Sequence, residues 1–227
     1  MARTLDREAH ALRRDEFVDV AQRLIQTRGY DEMSIQEVLD ELGASKGAFY
    51  HYFDSKEALL SAVVERLTDA GIAAMRPVAE DPDLTAIEKV DRIFSTLADY
   101  KAARKEFLLA LLDVWFSDGN TMVRDKFRRG MVDRLTPLFA GIVRQGRDEG
   151  TFVVDQPDDV ARVLVSLMQG TNEQASELFL ARQADRVSFD DVERSLTAYA
   201  RAFERILGLR ANTLTMLDRS TLLTWYG

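Results

Sequence analysis

Apolar residues recur three and four apart along nearly the whole chain, the pattern of helices that each bury one face. Phe17, Val20, Ala21, Leu24 and Ile25 make the first stripe, closed by Gly29; Ile35, Val38, Leu39 and Leu42 make the second, closed by Gly43. Leu59, Leu60, Val63, Val64 and Leu67 follow and fade before Pro77. Ile87, Val90, Ile93, Phe94 and Leu97 lead to an apolar run over 107–116, interrupted by Asp113, and Gly119 separates it from a long stretch over 122–147. The last strong stripes are Val160, Leu164, Leu167, Met168, Thr171 and Ala175, then Val192, Leu196, Tyr199, Phe203 and Ile206. No run of β-branched alternation competes with these.

Helix starts are marked as well. Ser34 with Glu37, Thr85 with Glu88 and Ser188 with Asp191 have capping-box spacing, in which each side chain satisfies an orphan backbone donor. Asp54 with Glu57 is a related pair, and Pro157 suits a first helical turn, where its missing N–H costs nothing. The chain therefore reads as all-α, with nine or ten helices and no internal repeat. The one stretch that reads as a linker is 75–85, with Pro77 and Pro82 among acidic residues.

Composition narrows the classes. Of 227 residues, 46% are hydrophobic and 30% charged, ordinary for a globular chain. There is no cysteine, which removes disulfides, thiolate metal sites and a Cys nucleophile, and suits a reducing compartment such as the cytoplasm. The first residues carry no apolar signal region, and the run over 107–116 is far short of the ~20 residues a membrane helix needs. A net charge of −8 argues against non-specific coating of nucleic acid, yet permits a small cationic face.

Residues 34–53 carry the chemistry. A helix over 35–42 stops at Gly43, which can take the left-handed conformation of a tight inter-helix turn. A second, very short helix opens at Ser45 and ends near Phe53. Two short helices joined by a glycine turn are a helix-turn-helix, whose second helix docks in the major groove. Leu39, Leu42 and Phe49 would hold the pair together, leaving Lys46, Gly47, Tyr50 and His51 outward: a cation, a residue that admits close backbone approach, and two rings with polar tips.

The segment Leu42-Gly43-Ala44-Ser45-Lys46-Gly47-Ala48-Phe49-Tyr50-His51-Tyr52-Phe53, with Ser34-Ile35 before it and Lys56-Glu57-Ala58-Leu59-Leu60 after it, resembles the DNA-binding module of TetR-family transcriptional regulators. The resemblance covers roughly residues 10–62; Ala44 stands where a larger aliphatic is usual. It implies a three-helix DNA-binding domain in which Lys46, Gly47 and Tyr50 sit over bases and adjacent backbone. Ser34, Ser45, His51 and Lys56 would then serve mainly as phosphate contacts, and Phe49 and Phe53 as core. The organisation expected is a DNA-binding domain over 1–54, a connecting helix over 55–76, a helical effector-binding and dimerisation domain over 77–208, and an extension over 209–227. Residues 1–60 hold eight Lys and Arg against twelve Asp and Glu, a balance of −4. Binding therefore requires Arg3, Arg7, Arg13, Arg14, Lys46 and Lys56 to cluster on one face, with Asp31, Glu32, Asp40 and Glu41 turned away.

One short recognition helix covers few base pairs, so a homodimer on a palindromic double-stranded operator is expected. Its interface is placed on helices over 157–181 and 188–207, through Leu164, Met168, Ala175, Val192, Leu196, Tyr199 and Phe203, as a four-helix bundle of the kind the family forms. The apolar tail after Gly208 is expected to pack as a further helix, in place unspecified. A helical bundle joined to a DNA reader suggests a sensor for an unknown small-molecule effector. Candidate pocket residues are Trp115, Phe116, Met122, Phe139, Met168 and Asn172, with Asp113 and Glu173 as possible polar anchors.

Catalysis finds no support. His10 and His51 are the only histidines, neither follows a Glu by three, and no nucleophile elbow, phosphate loop or zinc spacing occurs. No cofactor or metal is expected. The reading is a ligand-released repressor; the alternative is a helical small-molecule-binding or interaction protein whose N-terminal module does not read DNA.

Overall fold

The computed structural model describes the backbone of residues 2–116 and 120–227, and the side chains of 8–112, 114–116 and 120–227. Arg3, Arg7 and Asp113, as side chains, and Gly119 lie outside the described residues. Among the described residues there are ten helices: α1 (Ala2–Arg28), α2 (Ile35–Leu42), α3 (Lys46–Tyr52), α4 (Lys56–Glu80), α5 (Ala86–Ala102), α6 (Lys105–Phe116), α7 (Thr121–Asp148), α8 (Pro157–Gln183), α9 (Phe189–Ile206) and α10 (Arg219–Tyr226). Among the described residues there is no strand, so the protein is all-α.

Local chemistry sets the boundaries. Ser34, Thr85 and Ser188 each accept the N–H three residues on, while Glu37, Glu88 and Asp191 reach back to the cap, so all three capping boxes form. Gly43 closes α2 in the left-handed region, at φ 57° and ψ 33°. Two expectations need correcting. Asp54 does not cap α4: the helix starts one residue later, and Ser55 Oγ accepts from the Ala58 N–H at 3.1 Å. Residues 75–80 are not linker, because α4 continues through Pro77. Pro77 lies on the exposed side, whereas Met75 is buried and Val78 and Ala79 pack on a core, which holds the last turn despite the lost backbone bond.

The chain divides into two compact units, residues up to 70 with 104–127, and 71–103 with 128–227. In the first, α1 is the central helix. Phe17, Val18, Ala21, Leu24 and Ile25 face Val38 and Leu39 of α2, Phe49 of α3 and Leu59, Leu60 and Val63 of α4. Phe107, Leu111 and Val114 of α6 join that core, so residues 104–127, expected in the effector region, cluster with the N-terminal helices. Periodicity shows that α6 has an apolar face without naming what it meets.

The second unit has a core of Ile93, Leu135, Phe139, Ile142, Val143, Leu164, Val165, Phe203 and Leu207. Phe152 closes it against α7 at Gly146, where a Cβ would fall 2.1 Å from the ring. The tail does fold as a helix: α10 lies on α8 and α9 of its own chain, forming a smaller core of Leu178, Val192, Leu196, Leu222 and Tyr226. Its lead-in is tied down by the buried Glu204 carboxylate, which accepts from the N–H groups of Thr213 and Leu214 at 2.8 and 3.1 Å and from Arg201 at 2.9 Å. Burial alone would raise the Glu204 pKa, but these donors outweigh it and hold it below the usual range.

Candidate nucleic-acid interface

The three-four spacing of α3 sorts its residues. Phe49 is fully buried and meets Phe17 and Phe53 at centroid distances of 5.8 and 5.7 Å, fixing the helix on α1. On the far side Lys46, Gly47, Tyr50 and His51 are exposed, Tyr50 at 54%. Ser45 opens the helix, its Oγ accepting from the Ala48 N–H at 3.2 Å. Around Gly47 the nearest neighbour of an added Cβ is Ser45 Oγ at 3.8 Å, so nothing inside the chain requires glycine there. A mid-helix glycine costs about 0.5–1 kcal/mol relative to alanine.

Ion pairs neutralise most of the described arginines of the first unit's N-terminal helices. Arg23 of α1 forks onto Glu41, and Arg28 meets Glu37 at 2.6 Å. Arg66 pairs with Asp19 and Arg13 with Glu16. The hydrogen bond from Arg23 holds the Glu41 carboxyl below its ordinary value, and the Ser34 N–H and hydroxyl do the same for Glu37. Of the cations in residues 8–70, Arg14, Lys46 and Lys56 have no carboxylate partner in an ion pair among the described residues. Arg14 lies 5.2 Å over the Phe53 ring, and Lys46 projects from α3.

The remaining expected contacts are placed as follows. The Lys56 ammonium donates to Asp31 O at 3.3 Å and sits 4.2 Å over the Tyr30 ring, tying α4 to the loop before α2 with further N–H groups to spare. His51 is packed edge-on against His10, at 5.3 Å, and Tyr52, at 5.0 Å. His10 therefore belongs to this surface, a position that spacing along one helix could not reveal. Ser34 is exposed, but its N–H and O–H both turn to Glu37 Oε2, at 2.8 and 2.9 Å. The carboxylate already occupies the positive end of α2, so a phosphate contact at Ser34 requires the capping box to open.

The expected pocket residues are divided between the two units. Trp115 packs edge-on against Phe127 at 4.9 Å and is partly buried, as is Phe116; both belong to the first unit. Met122 is 85% exposed and lines nothing. In the second unit Phe139 is buried core, Met168 is partly buried against that core, and Asn172 is exposed and accepts from Lys101 at 2.7 Å. The expected interface also divides. Leu164, Val192, Leu196 and Phe203 are buried within a single chain, the middle two partly under α10, so they are not available to a partner. Met168, Ala175 and Tyr199 keep exposed surface. A strong apolar stripe marks the inner face of a helix, and here that face is filled from within.

Comparison with known proteins addresses the same segment. Residues 17–63 match the family model for bacterial regulatory proteins of the tetR family. The chain is similar to the HTH-type transcriptional repressor KstR2 of Rhodococcus jostii, 25% identical over 153 residues, 63% of this chain and 69% of that one. It is also similar to the HTH-type transcriptional regulator EthR of Mycolicibacterium smegmatis, 26% identical over 149 residues, 58% and 66% of the two chains. Its fold is like that of a TetR transcription regulator from Haloarcula marismortui, with a TM-score of 0.61 at 21% identity, covering 87% of this chain and 97% of the other. A buried Phe49 with an outward Lys46-Gly47-Tyr50 face behind a glycine turn lies within the matching segment, so residues 17–63 form a module of the kind found in TetR-family DNA-binding transcriptional regulators.

Proposed function

We propose that the protein is a homodimeric repressor that holds a palindromic operator through two copies of α3 and releases it when a small molecule occupies the second unit. The observation that carries the DNA half is the outward face of α3, where, among the described residues, Lys46 has no ion-pair partner and Gly47 has no packing reason to be glycine. Lys46, Gly47 and Tyr50 meet base edges and adjacent backbone; Ser45, His51 and Lys56 meet phosphates. KstR2, one of the similar proteins, is named a repressor, which supports that sign of regulation.

Pairing follows from coverage, since one α3 reads only a few base pairs and two, about 34–36 Å apart or further, supply a specific site. The exposed parts of α8 and α9, with Met168, Ala175 and Tyr199, are the surface we assign to it. Effector control needs only differential affinity: a ligand that prefers a conformation with unsuitable spacing of the two α3 helices lowers operator affinity by that preference. Helix α4, which runs from the first unit into the second, is the element we assign to transmission.

A gel shift against DNA upstream of the coding region, at low and moderate salt, tests this with Lys46→Ala and Tyr50→Ala beside the wild type. Specific wild-type binding weakened at least tenfold by each substitution is the expected result. Equal, weak binding by all three at every salt concentration would overturn it.

A further inference from the structure

An ammonium group lies over an aromatic face in the first unit. Gly29, at φ 87°, turns the chain out of α1, and Tyr30 directly after it is drawn into the first core, 6% exposed. The Tyr30 hydroxyl makes no hydrogen bond among the described residues, so what the residue offers is its ring. Lys56, the first residue of α4, places its Nζ 4.2 Å from the centre of that ring and donates to the Asp31 carbonyl at 3.3 Å. Two contacts from one loop thus hold the end of a long, flexible side chain. Such an ammonium loses less rotamer freedom on meeting an anion than one that swings free. It keeps N–H groups for an outside acceptor, and among the described residues no carboxylate forms an ion pair with it.

The position of this cation matters. Asp31 precedes Ser34, the cap of α2, by three residues, and in a docked helix-turn-helix that first helix crosses the sugar–phosphate backbone. The positive end of α2 is already filled by the Glu37 carboxylate, which takes both the Ser34 N–H and O–H. A held cation beside that end can meet the backbone without opening the capping box. We propose that Tyr30 is a positioning residue for operator binding: its ring face, with the Asp31 carbonyl, holds Lys56 for a backbone phosphate at the head of α2, in place of Ser34. The ring acts through its quadrupole, so a ring must stay at residue 30 and a stacking cation at residue 56, while the Tyr30 hydroxyl is dispensable. This inference rests on the DNA-binding role proposed for the N-terminal module and adds to it a residue that does not itself touch DNA.

The test titrates the full-length protein with a duplex that the wild type selects from a random-sequence library, read by fluorescence anisotropy over a range of salt. Lys56→Met is expected to lose about tenfold in affinity and to lower the slope of log affinity against log salt by about 1 per module. Tyr30→Leu should weaken binding about three- to tenfold when Lys56 is present and leave it unchanged in the Lys56→Met background. Tyr30→Phe and Lys56→Arg, which keep a ring and a cation that stacks on it, should restore binding. If Tyr30→Leu melts too low to assay, Tyr30→Phe with added ring fluorines takes its place. Fluorine weakens the negative face of the ring with little change of shape, so affinity should fall stepwise with each fluorine, and only when Lys56 is present. Equal losses with and without Lys56 mean that the ring serves the fold alone and overturn the inference, as does unchanged binding. A wild type that selects no duplex overturns the DNA-binding reading itself, and this inference with it; a wild type that binds while Tyr30→Leu binds equally well removes only the role of Tyr30.

Discussion

The Tyr226 hydroxyl donates to the carbonyl of Ala175 at 2.9 Å, which pins the last helix of the chain to the middle of α8. The Arg182 guanidinium returns a hydrogen bond to the Tyr226 carbonyl at 3.2 Å, and the Tyr226 ring is buried against Phe179. Ala175 therefore belongs to a helix face that α10 partly covers, and the surface left for a second copy of the chain is smaller than the stripes on α8 and α9 suggest. Tyr226→Phe is expected to cost about 1 kcal/mol, the net worth of one hydrogen bond, and Tyr226→Ala about 3–5 kcal/mol. Urea unfolding measures both. A chain ending at residue 217 should expose Val192, Leu196 and Leu178, read as dye binding and as a higher-order shift in sedimentation.

Gly47 separates folding from recognition. Because a Cβ there meets nothing closer than 3.8 Å, Gly47→Ala should stabilise the fold by about 0.5–1 kcal/mol. In the proposed binding mode the added methyl faces the duplex, so operator affinity should nonetheless fall by tenfold or more. A variant that melts higher and binds as well as wild type would place Gly47 outside the interface.

Lys46 should leave a signature in salt dependence. Lys46→Ala, on an exposed and unpaired side chain, is expected to leave the melting temperature unchanged. It should reduce the slope of log affinity against log salt by about 1 per recognition helix if it meets phosphate. If the affinity falls with the slope unchanged, its role is to read a base.

Two tyrosines predict behaviour in alkali. Burial raises Tyr30, which also faces Glu57 and Asp31, to about 12, and burial raises Tyr226 to about 12. Each stays protonated in the fold after its unfolded counterpart has ionised near pH 10. The unfolded state then binds fewer protons, so stability is complete below pH 10 and declines as pH rises through 12. Absorbance of phenolate at 295 nm should show a late titration near pH 12 in the fold, which Tyr30→Phe and Tyr226→Phe each diminish.

Asp191 behaves in the opposite sense in acid. The Ser188 hydroxyl and N–H, and then Arg194, hold its pKa at about 2. Its contribution is present above the unfolded value near 3.8 and is lost as pH falls through 2. Asp191→Asn should flatten the loss of stability between pH 4 and 2 relative to wild type, as measured by thermal melts across that range.

What could be read from the sequence was local. The caps at Ser34, Thr85 and Ser188, the left-handed Gly43 and the inward Phe49 depend on residues within four positions of one another, so spacing alone specifies them. The outward set Lys46, Gly47, Tyr50 and His51 follows once Phe49 is inside. What could not be read was which apolar face meets which. Val192 and Phe203 look alike as a stripe whether a partner chain or the same chain fills the groove, and α6 has no mark that assigns it to α1.

Anyone grafting this DNA reader onto a foreign sensor should heed where α6 lies. A cut at residue 76 looks clean on paper, yet it would strip Phe107, Leu111 and Val114 from the hydrophobic core they share with α1 and leave the transplanted headpiece with an open wound. A workable chimera has to carry 104–127 along with the headpiece, which makes the transferable module discontinuous.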